Sequence, residues 1–567
     1  MIFVNGKMTE TTKLKYYPQH MHIHSIYEPG ASMEGHIYFA NLQGMRHIWF
    51  TEHDDAWAKK AYSLGFEPDE MGPDENGTPT ALFLPTARSG GKVNVDTENA
   101  YEGSASLRLT AEENSGENWH GAAAVSAGKG ICQSLCRMPL LSFAHRGVTH
   151  SPGDVRYVFD LCLSERPPDQ RFAHIIFVCG STEGLDAPHT LVVPISVGED
   201  WQKSDIDISE IASSEAAIIN SVGGLDNVLS SFTVRVETRR GASASLYIDS
   251  LNMVGRTTAE ETKKNQTELA IKLGEKYGVT PFVTAEISGT GAHKNCYSTD
   301  TPVFPYGDPS KVLTHEQACE VMTEKGYVFS LNHPFIRLAR ANPATTDYDA
   351  ECDLIVESYA EKNAFGASLL EVGFPFGRYA PYTTHTRLWD SLALRGVILT
   401  GYGASDSHMM TEGWFSGNNM AGFVGVDSNC EPTEADFVAS MKAGRLYAAN
   451  PLVMKGNFSF SADGIREMGS ISVVPKGTTS RVSLSLEISN HNWKVAWVVN
   501  GKRVRLDPTT RTGYFGEYDL VTGGEIDFVR AEVYDYFGTL LLMTNPIYFV
   551  SDTEKIKNDV KGRTVYK

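Results

Sequence analysis

Along the first sixty residues the apolar positions change period twice. Residues Tyr17 to Ser25 alternate apolar and polar side chains, as a strand does. Ser32 is placed to cap a helix that runs to about Gly44, its stop signal. His47-Ile48-Trp49-Phe50-Thr51 is then a short apolar strand, so the segment reads as a strand–helix–strand unit of a parallel sheet. From about 82 to 255 the pattern breaks into short β-type runs, such as Val155-Arg156-Tyr157-Val158-Phe159-Asp160 and Phe232-Thr233-Val234-Arg235-Val236, separated by Gly, Asn, Asp and Ser. That texture predicts a β-sandwich. Helical spacing returns from Thr258 to Lys276, with Leu269, Ile271, Leu273 and Tyr277 as core positions and Gly278 as the stop. Val279–Ile287 is the next strand, and helix and strand alternate to about residue 450. After Pro451 the chain is β-rich again, Asn500-Gly501 being a strong hairpin turn. Residues 455–551 read as a small immunoglobulin-like sandwich, and those from about 553 as a charged, frayed tail.

The fold class is therefore α/β, with one α/β domain split by an insertion. Its first part spans 1–81 and its second 256–453. A β-sandwich occupies 82–255, and a C-terminal β-sandwich with its tail occupies 454–567. The opening of the insertion, Asn94-Val95-Asp96-Thr97-Glu98-Asn99-Ala100-Tyr101-Glu102-Gly103, and the run Leu246-Tyr247-Ile248-Asp249-Ser250-Leu251 resemble the first and last strands of jelly-roll carbohydrate-binding modules.

The net charge of −19 argues against a nucleic-acid surface, which needs a basic footprint. The chain starts without a basic stretch leading into an apolar run, and no stretch approaches the ~18 apolar residues of a membrane span. The eight cysteines are scattered, which suits reduced thiols. A cytoplasmic protein with no membrane and no nucleic-acid partner is the expectation.

Candidate chemistry gathers at strand ends. His20-Met21-His22-Ile23-His24 alternates three histidines, and residues two apart on a strand share a face. Thr51-Glu52-His53 follows the apolar strand at 47–50. Phe282-Val283-Thr284-Ala285-Glu286 ends a strand in a carboxylate, with His293 shortly after. Val328-Phe329-Ser330-Leu331-Asn332-His333-Pro334 ends another in an imidazole, and Gly403-Ala404-Ser405-Asp406-Ser407-His408 follows a strand at Val397–Thr400. Imidazole and carboxylate groups delivered at the strand ends of an α/β fold are the donor set of a divalent-metal site.

In this order the motifs resemble the PHP (polymerase and histidinol phosphatase) superfamily, over about 16–60 and 258–450. Phe437-Val438-Ala439-Ser440-Met441-Lys442-Ala443-Gly444-Arg445-Leu446-Tyr447, with a β-sandwich after it, is similar to the branch containing carbamate-ester hydrolases of the carbaryl-hydrolase type. The resemblance implies a distorted seven-stranded (β/α) barrel carrying two or three divalent ions, zinc, manganese or iron. It implies that His22, His24, Glu286 and Asp406 hold one ion, that Glu286 bridges to a second held by His293 and His333, and that His53 and His408 bind a third. The family's remaining ligand for the third ion matches the stretch Glu28-Pro29-Gly30; Pro29 cannot ligate, and Glu28 or Glu34 is the substitute. Glu52 is expected to orient His53 or a neighbour.

Such ions activate a water and polarise a phosphoryl or carbonyl oxygen, so Glu286, Asp406 and His408 carry the catalytic assignment, the last two as proton carriers. Arg337 and Arg378 are candidate substrate contacts, with an ion-pair role as the alternative. Glu371 ends another apolar strand and either lines the site or is structural. The reaction implied is hydrolysis of a small phosphate ester, with or without a sugar. Carbamate, ester or amide hydrolysis on the same ions is the alternative. A glycan-binding protein with a vestigial barrel is a third reading, for which Trp119 and Trp201 could stack on sugars or pack in the core.

Overall fold

The computed structural model describes residues 2–4, 7–9, 14–25, 32–54, 57, 61–67, 70, 83–86, 91–126, 134–166, 171–214, 228–288, 292–303, 313–335, 347–373, 382–408, 414, 420–427 and 431–567. It is strand-rich, with several sheets.

The first α/β unit consists of β1 (Leu14–Ile23), α1 (Met33–Leu42) and β2 (His47–His53). The Ser32 hydroxyl caps α1 by accepting from the Gly35 amide. Beyond the insertion come α2 (Ala259–Tyr277) and β3 (Thr280–Ile287). Thr258 and Glu261 close a capping box on α2, and Gly278 ends it at φ 67°, where a Cβ would be strained. Leu269 and Leu273 are buried, but Ile271 is 47 % exposed and not a core contact. Two residues along a helix turn about 200°, which sets Ile271 opposite Leu269.

Strands β1, β2 and β3 are parallel, and β2 and β3 are in a register that sets His53 opposite Glu286. A second parallel ladder follows: β4 (Ser330–Leu331), β5 (Leu369–Gly373) and β6 (Thr400–Gly403), interleaved with α3 (His315–Glu324), α4 (Tyr348–Glu361) and α5 (Tyr382–Leu394). The strand expected at 397–400 thus lies three residues later. The two ladders touch at both edges. The Asn332 amide donates to the His293 carbonyl (2.9 Å) on one side, and the His24 amide to the Ser407 carbonyl (3.0 Å) on the other. One buried cluster draws Met21, Trp49, Phe282, Leu369 and Tyr402 from both ladders. β7 (Ala421–Asp427) lies antiparallel to β1, and β8 (Leu446–Ala449) to β7, with α6 (Glu434–Ala443) between them.

Among the described residues the insertion is two sheets of six strands each, one of them counting Ala61–Leu64, enclosing Phe143, Phe159, Leu161, Val234, Leu246 and Ile248. Alternation along Ala242–Val254 sends Leu246 and Ile248 inward and Tyr247 outward. Its sheet also takes in Ala61–Leu64, paired with Leu251–Val254, so the sandwich begins upstream of the expected boundary at 82. A four-residue strand is too short to display a period, which is why the chain's texture does not reveal it.

In the C-terminal module, Leu540–Thr544 pairs with β8, so one of its sheets continues the sheet of β1 and β7. Asn500 and Gly501 both have positive φ (51° and 77°) and join Trp493–Val499 to Lys502–Thr509. The tail is not frayed. Val565 and Tyr566 pair with Ile471 and Ser472, and buried Arg563 donates to the Gly469 carbonyl and the Thr400 hydroxyl at 2.8 Å each. A charge-rich stretch reads as solvated until its acceptors, far away in sequence, are known. Among the described residues no helix is long and apolar enough to cross a membrane.

Candidate metal centre

All eight imidazole and carboxylate groups singled out as metal ligands meet at one end of β1–β6. On β1, period-2 geometry turns both His22 and His24 to this end, fully buried. His20 has the same parity but stands aside. The β1–β2 pairing shifts register between His20 and Ile23, and the His20 ring packs on Trp414 with its Nδ1 3.3 Å from the Ser405 hydroxyl.

Glu286 sits in the middle. Its Oε1 is 3.1 Å from His22 Nε2 and 3.3 Å from His333 Nε2, and its Oε2 is 3.0 Å from His53 Nδ1 and 3.2 Å from His293 Nδ1. Asp406 Oδ1 lies 3.2 Å from His22 Nε2 and 3.1 Å from His24 Nε2, and those two nitrogens are 3.2 Å apart. His408 Nε2 approaches His53 Nε2 at 3.5 Å. Four overlapping trios could each hold an ion, their ligand atoms within 4.8 Å of one another: His22, His24 and Glu286; His22, His333 and Asp406; His53, Glu286 and His293; His24, His53 and His408. The partition differs in two respects from the one the family resemblance implies. His333 groups with His22 and Asp406, while His53 stands on both sides, beside Glu286 and beside His408.

Protons alone satisfy this array poorly. His22 Nε2 faces Glu286 Oε1, Asp406 Oδ1 and His24 Nε2 at almost equal distances, yet one N–H points at only one of them. Four donors held ~2.1 Å from a tetrahedral ion are spaced roughly 3.4 Å apart, close to the spacings seen. The electrostatics agree. Burial opposes the ionised forms of Glu286 and Asp406, but surrounding imidazoles, His22 first, hold both carboxyls well below their usual range. Burial and the neighbouring His53 and His408 hold His24 far below the ordinary imidazole value, leaving it a neutral donor. His22 is pushed down by burial, yet Asp406, Glu286 and Glu371 outweigh this and raise it. The pocket is thus built for positive charge, whether carried by protons or by a cation.

Around the ligands lies a layer of buried polar groups. Asn332 donates to Glu286 Oε1 at 2.8 Å, and the Ser288 hydroxyl is 2.6 Å from His53 Nδ1. Glu52 serves the neighbour of His24. It accepts from the Ser25 amide and from Gln266 (2.7 Å), fixing the chain just after His24. His36 Nε2 donates to the His24 carbonyl at 3.0 Å while its Nδ1 accepts from Trp414 at 2.9 Å. Glu371 holds His22 Nδ1 at 2.8 Å. The roles of Ser288, Gln266 and His36 carry no local sequence signal. Asn332 does carry one, through its place in Asn-His-Pro.

Glu34 is not a ligand. It is buried between α1 and α2, where its Oε1 accepts from Tyr277 (2.8 Å) and Lys276 (2.5 Å). Glu28, Arg337 and Arg378 lie outside the described residues. The five histidines of the insertion, at 120, 145, 150, 174 and 189, belong to none of the four trios.

No family model and no curated protein matches the chain. Among solved structures, a family 11 carbohydrate-binding module from Clostridium thermocellum, bound to a mixed-linked β-1,3-1,4 tetrasaccharide, is 11 % identical with a TM-score of 0.21, covering 35 % of this chain and 98 % of its own. A xylan-binding CBM22 domain from Paenibacillus barcinonensis is 14 % identical, with a TM-score of 0.19 and the same coverages. A family 12 xyloglucanase from Bacillus licheniformis is 11 % identical, with a TM-score of 0.23, covering 35 % of this chain and all of its own.

Proposed function

We propose that this protein is a metal-dependent hydrolase of the PHP type, its parallel strands forming the family's distorted barrel and its site holding two or three divalent ions. The observation that carries the reading is the convergence of eight ligand-type side chains from separate stretches of chain, four of the histidines directly on Glu286. Zinc, manganese or iron would supply Lewis-acid polarisation of a phosphoryl or carbonyl oxygen and an activated water. The chain's own residues do the rest. Glu286 and Asp406 hold the negative charge that attracts cations. His24, neutral and buried, keeps a lone pair available. Asp406, His408 and His53 form the solvent-facing rim, where a proton can be passed to a leaving group. Phosphate esters are the first substrates to try, carbamates and other carboxyl esters the second.

The test is metal analysis joined to an ester panel. Purified protein should carry at least two transition-metal ions per chain. A chelator should abolish hydrolysis, and added manganese or zinc should restore it. Less than about one ion per chain, with no hydrolysis rescued by added metal, would remove the basis of the reading.

A second activity has its own observation, and we infer that the insertion binds glycan. On its outer face Trp201 packs beside Tyr101 (5.8 Å) and Tyr247 (6.3 Å), and the guanidinium groups of Arg108 and Arg146 lie 5.5 and 5.7 Å from the Tyr247 ring. Tyr101 is 40 % exposed and Trp201 partly so, whereas Tyr247 is buried and backs them. Aromatic faces flanked by fixed hydrogen-bond donors suit a sugar ring. Trp119 is a poorer platform, because Arg156 and Arg239 both lie 4.3 Å from its ring. Trp201→Ala is expected to lower retention in affinity electrophoresis through xylan or mixed-linked β-glucan, with metal content unchanged. Equal retention of variant and wild type would sink this second activity alone.

A further inference from the structure

Glu371 lies in the middle of β5, fully buried, and is not one of the eight candidate ligands. Its two oxygens serve two different strands. Oε1 lies 2.8 Å from His22 Nδ1 on β1, and Oε2 accepts from the His333 backbone amide, just after β4, at 2.5 Å. The Tyr402 hydroxyl, on β6, lies 3.4 Å from Oε1 and 2.9 Å from Asn332 Oδ1, its nearer acceptor.

Each contact has a consequence. An ionised carboxylate only accepts, so His22 Nδ1 must carry the hydrogen, and the lone pair of the neutral ring falls on Nε2. That is the nitrogen facing Glu286 and Asp406. His333 has φ +24°, a left-handed backbone that a residue with a Cβ adopts only at a cost. A charge-assisted bond from its own amide holds it there, and this backbone aims the ring's Nε2 at Glu286 Oε1 (3.3 Å).

We propose that Glu371 is a positioning residue that sets two candidate ligands at once, His22 through its tautomer and His333 through its strained backbone. This rests on the metal-centre reading above and adds a selectivity to it. His22 and His333 share one trio with Asp406, and His22 a second with His24 and Glu286, whereas the trio of His53, Glu286 and His293 contains neither side chain that Glu371 holds. Loss of Glu371 should therefore weaken one ion and spare its neighbour.

The experiment is a cobalt(II) titration of metal-free wild type, Glu371→Gln and Glu371→Asp, followed by the ligand-field spectrum and by competition with a chelator, with thermal melting alongside. An amide offers one acceptor and turns a donor toward the other partner, so Gln cannot serve both. One binding step should weaken by roughly 10- to 100-fold in the Gln variant, with a second step kept and the metal-free melting temperature nearly unchanged. Asp keeps an acceptor-only group and should recover part of the loss. Titrations of the Gln variant identical to wild type would overturn the proposal. So would loss of every step together with a large fall in melting temperature, which marks a purely structural role, or an Asp variant no better than Gln. A wild type that takes up no cobalt would sink the metal-centre reading and this proposal with it. Unchanged binding in the variant beside a cobalt-binding wild type sinks this proposal alone.

Discussion

Glu286→Ala is expected to lose the paired ions and nearly all hydrolysis, a larger effect than removing any one histidine. Its two oxygens face His22, His333, His53 and His293 within 3.3 Å, so this one side chain is shared by two of the four candidate trios. A carboxylate between two cations offsets part of their mutual repulsion and fixes their separation, which no neutral imidazole does. Losing a residue that merely supports a ligand costs roughly 10- to 100-fold in metal affinity, and the shared ligand should cost more than that. His408→Ala is the comparison, because His408 belongs to a single trio at the solvent-facing rim and should cost at most one ion. Both variants should remain folded. Without the Glu286 carboxylate the surrounding imidazoles have less reason to hold protons and become neutral polar groups, which are far cheaper to bury than charges. Metal stoichiometry and melting temperature, measured for both, decide the matter. A Glu286→Ala protein that keeps two ions and wild-type turnover would reduce Glu286 to a strand-end charge.

The candidate ligands were legible in the sequence because each announces itself locally. A His-x-His pair on a strand shares a face by its period of two, and a polar residue closing an apolar run marks a strand end. What the sequence does not show is which distant groups answer them. Glu371 reaches His22 across 349 positions, and Asn332 reaches Glu286 across 46. The same limit explains Glu34. It is a carboxylate close in sequence to the ligand loop, but its helix faces α2, where Lys276 and Tyr277 take it up. His20 shows a different limit, since a register shift inside a strand breaks the period that placed it with His22 and His24. The two sandwiches were visible as texture, but their edges were not. Ala61–Leu64 and Val565–Tyr566 are strands only because of partners some 190 and 94 positions away, at Leu251–Val254 and Ile471–Ser472.

Arg530→Ala is expected to be the most destabilising single change outside the candidate site, by about 3–5 kcal/mol at neutral pH. Arg530 lies on the strand Ile526–Tyr534 of the C-terminal module, its side chain only 2 % exposed. It forms a two-pronged pair with Asp390 of α5, Nε to Oδ1 at 3.0 Å and Nη2 to Oδ2 at 2.8 Å, and its Nη1 donates to Glu532. One guanidinium thus neutralises two buried carboxylates and ties the α/β unit to the module that follows it. Burial raises the Asp390 carboxyl even with Arg530 present, whereas Glu532, also pushed up by burial, is brought below its usual range chiefly by Arg530. Without the cation Asp390 would lose the one partner that offsets its burial and Glu532 would keep only Tyr534 and the more distant Arg503 (3.9 Å), so both carboxyls would shift upward, toward or above their unfolded values. The folded variant would then bind protons that the unfolded chain does not, so its deficit should shrink as the pH falls from 7 toward 5, opposite to the behaviour of an Asp held low by a partner. Urea denaturation at pH 7 and pH 5 measures both the size and the sign. A deficit below about 1 kcal/mol at pH 7 would place the triad with ordinary surface pairs. A deficit that stayed constant with pH would mean that the loss comes from packing against Trp389, whose ring lies 5.5 Å from the guanidinium, and not from the stranded charges.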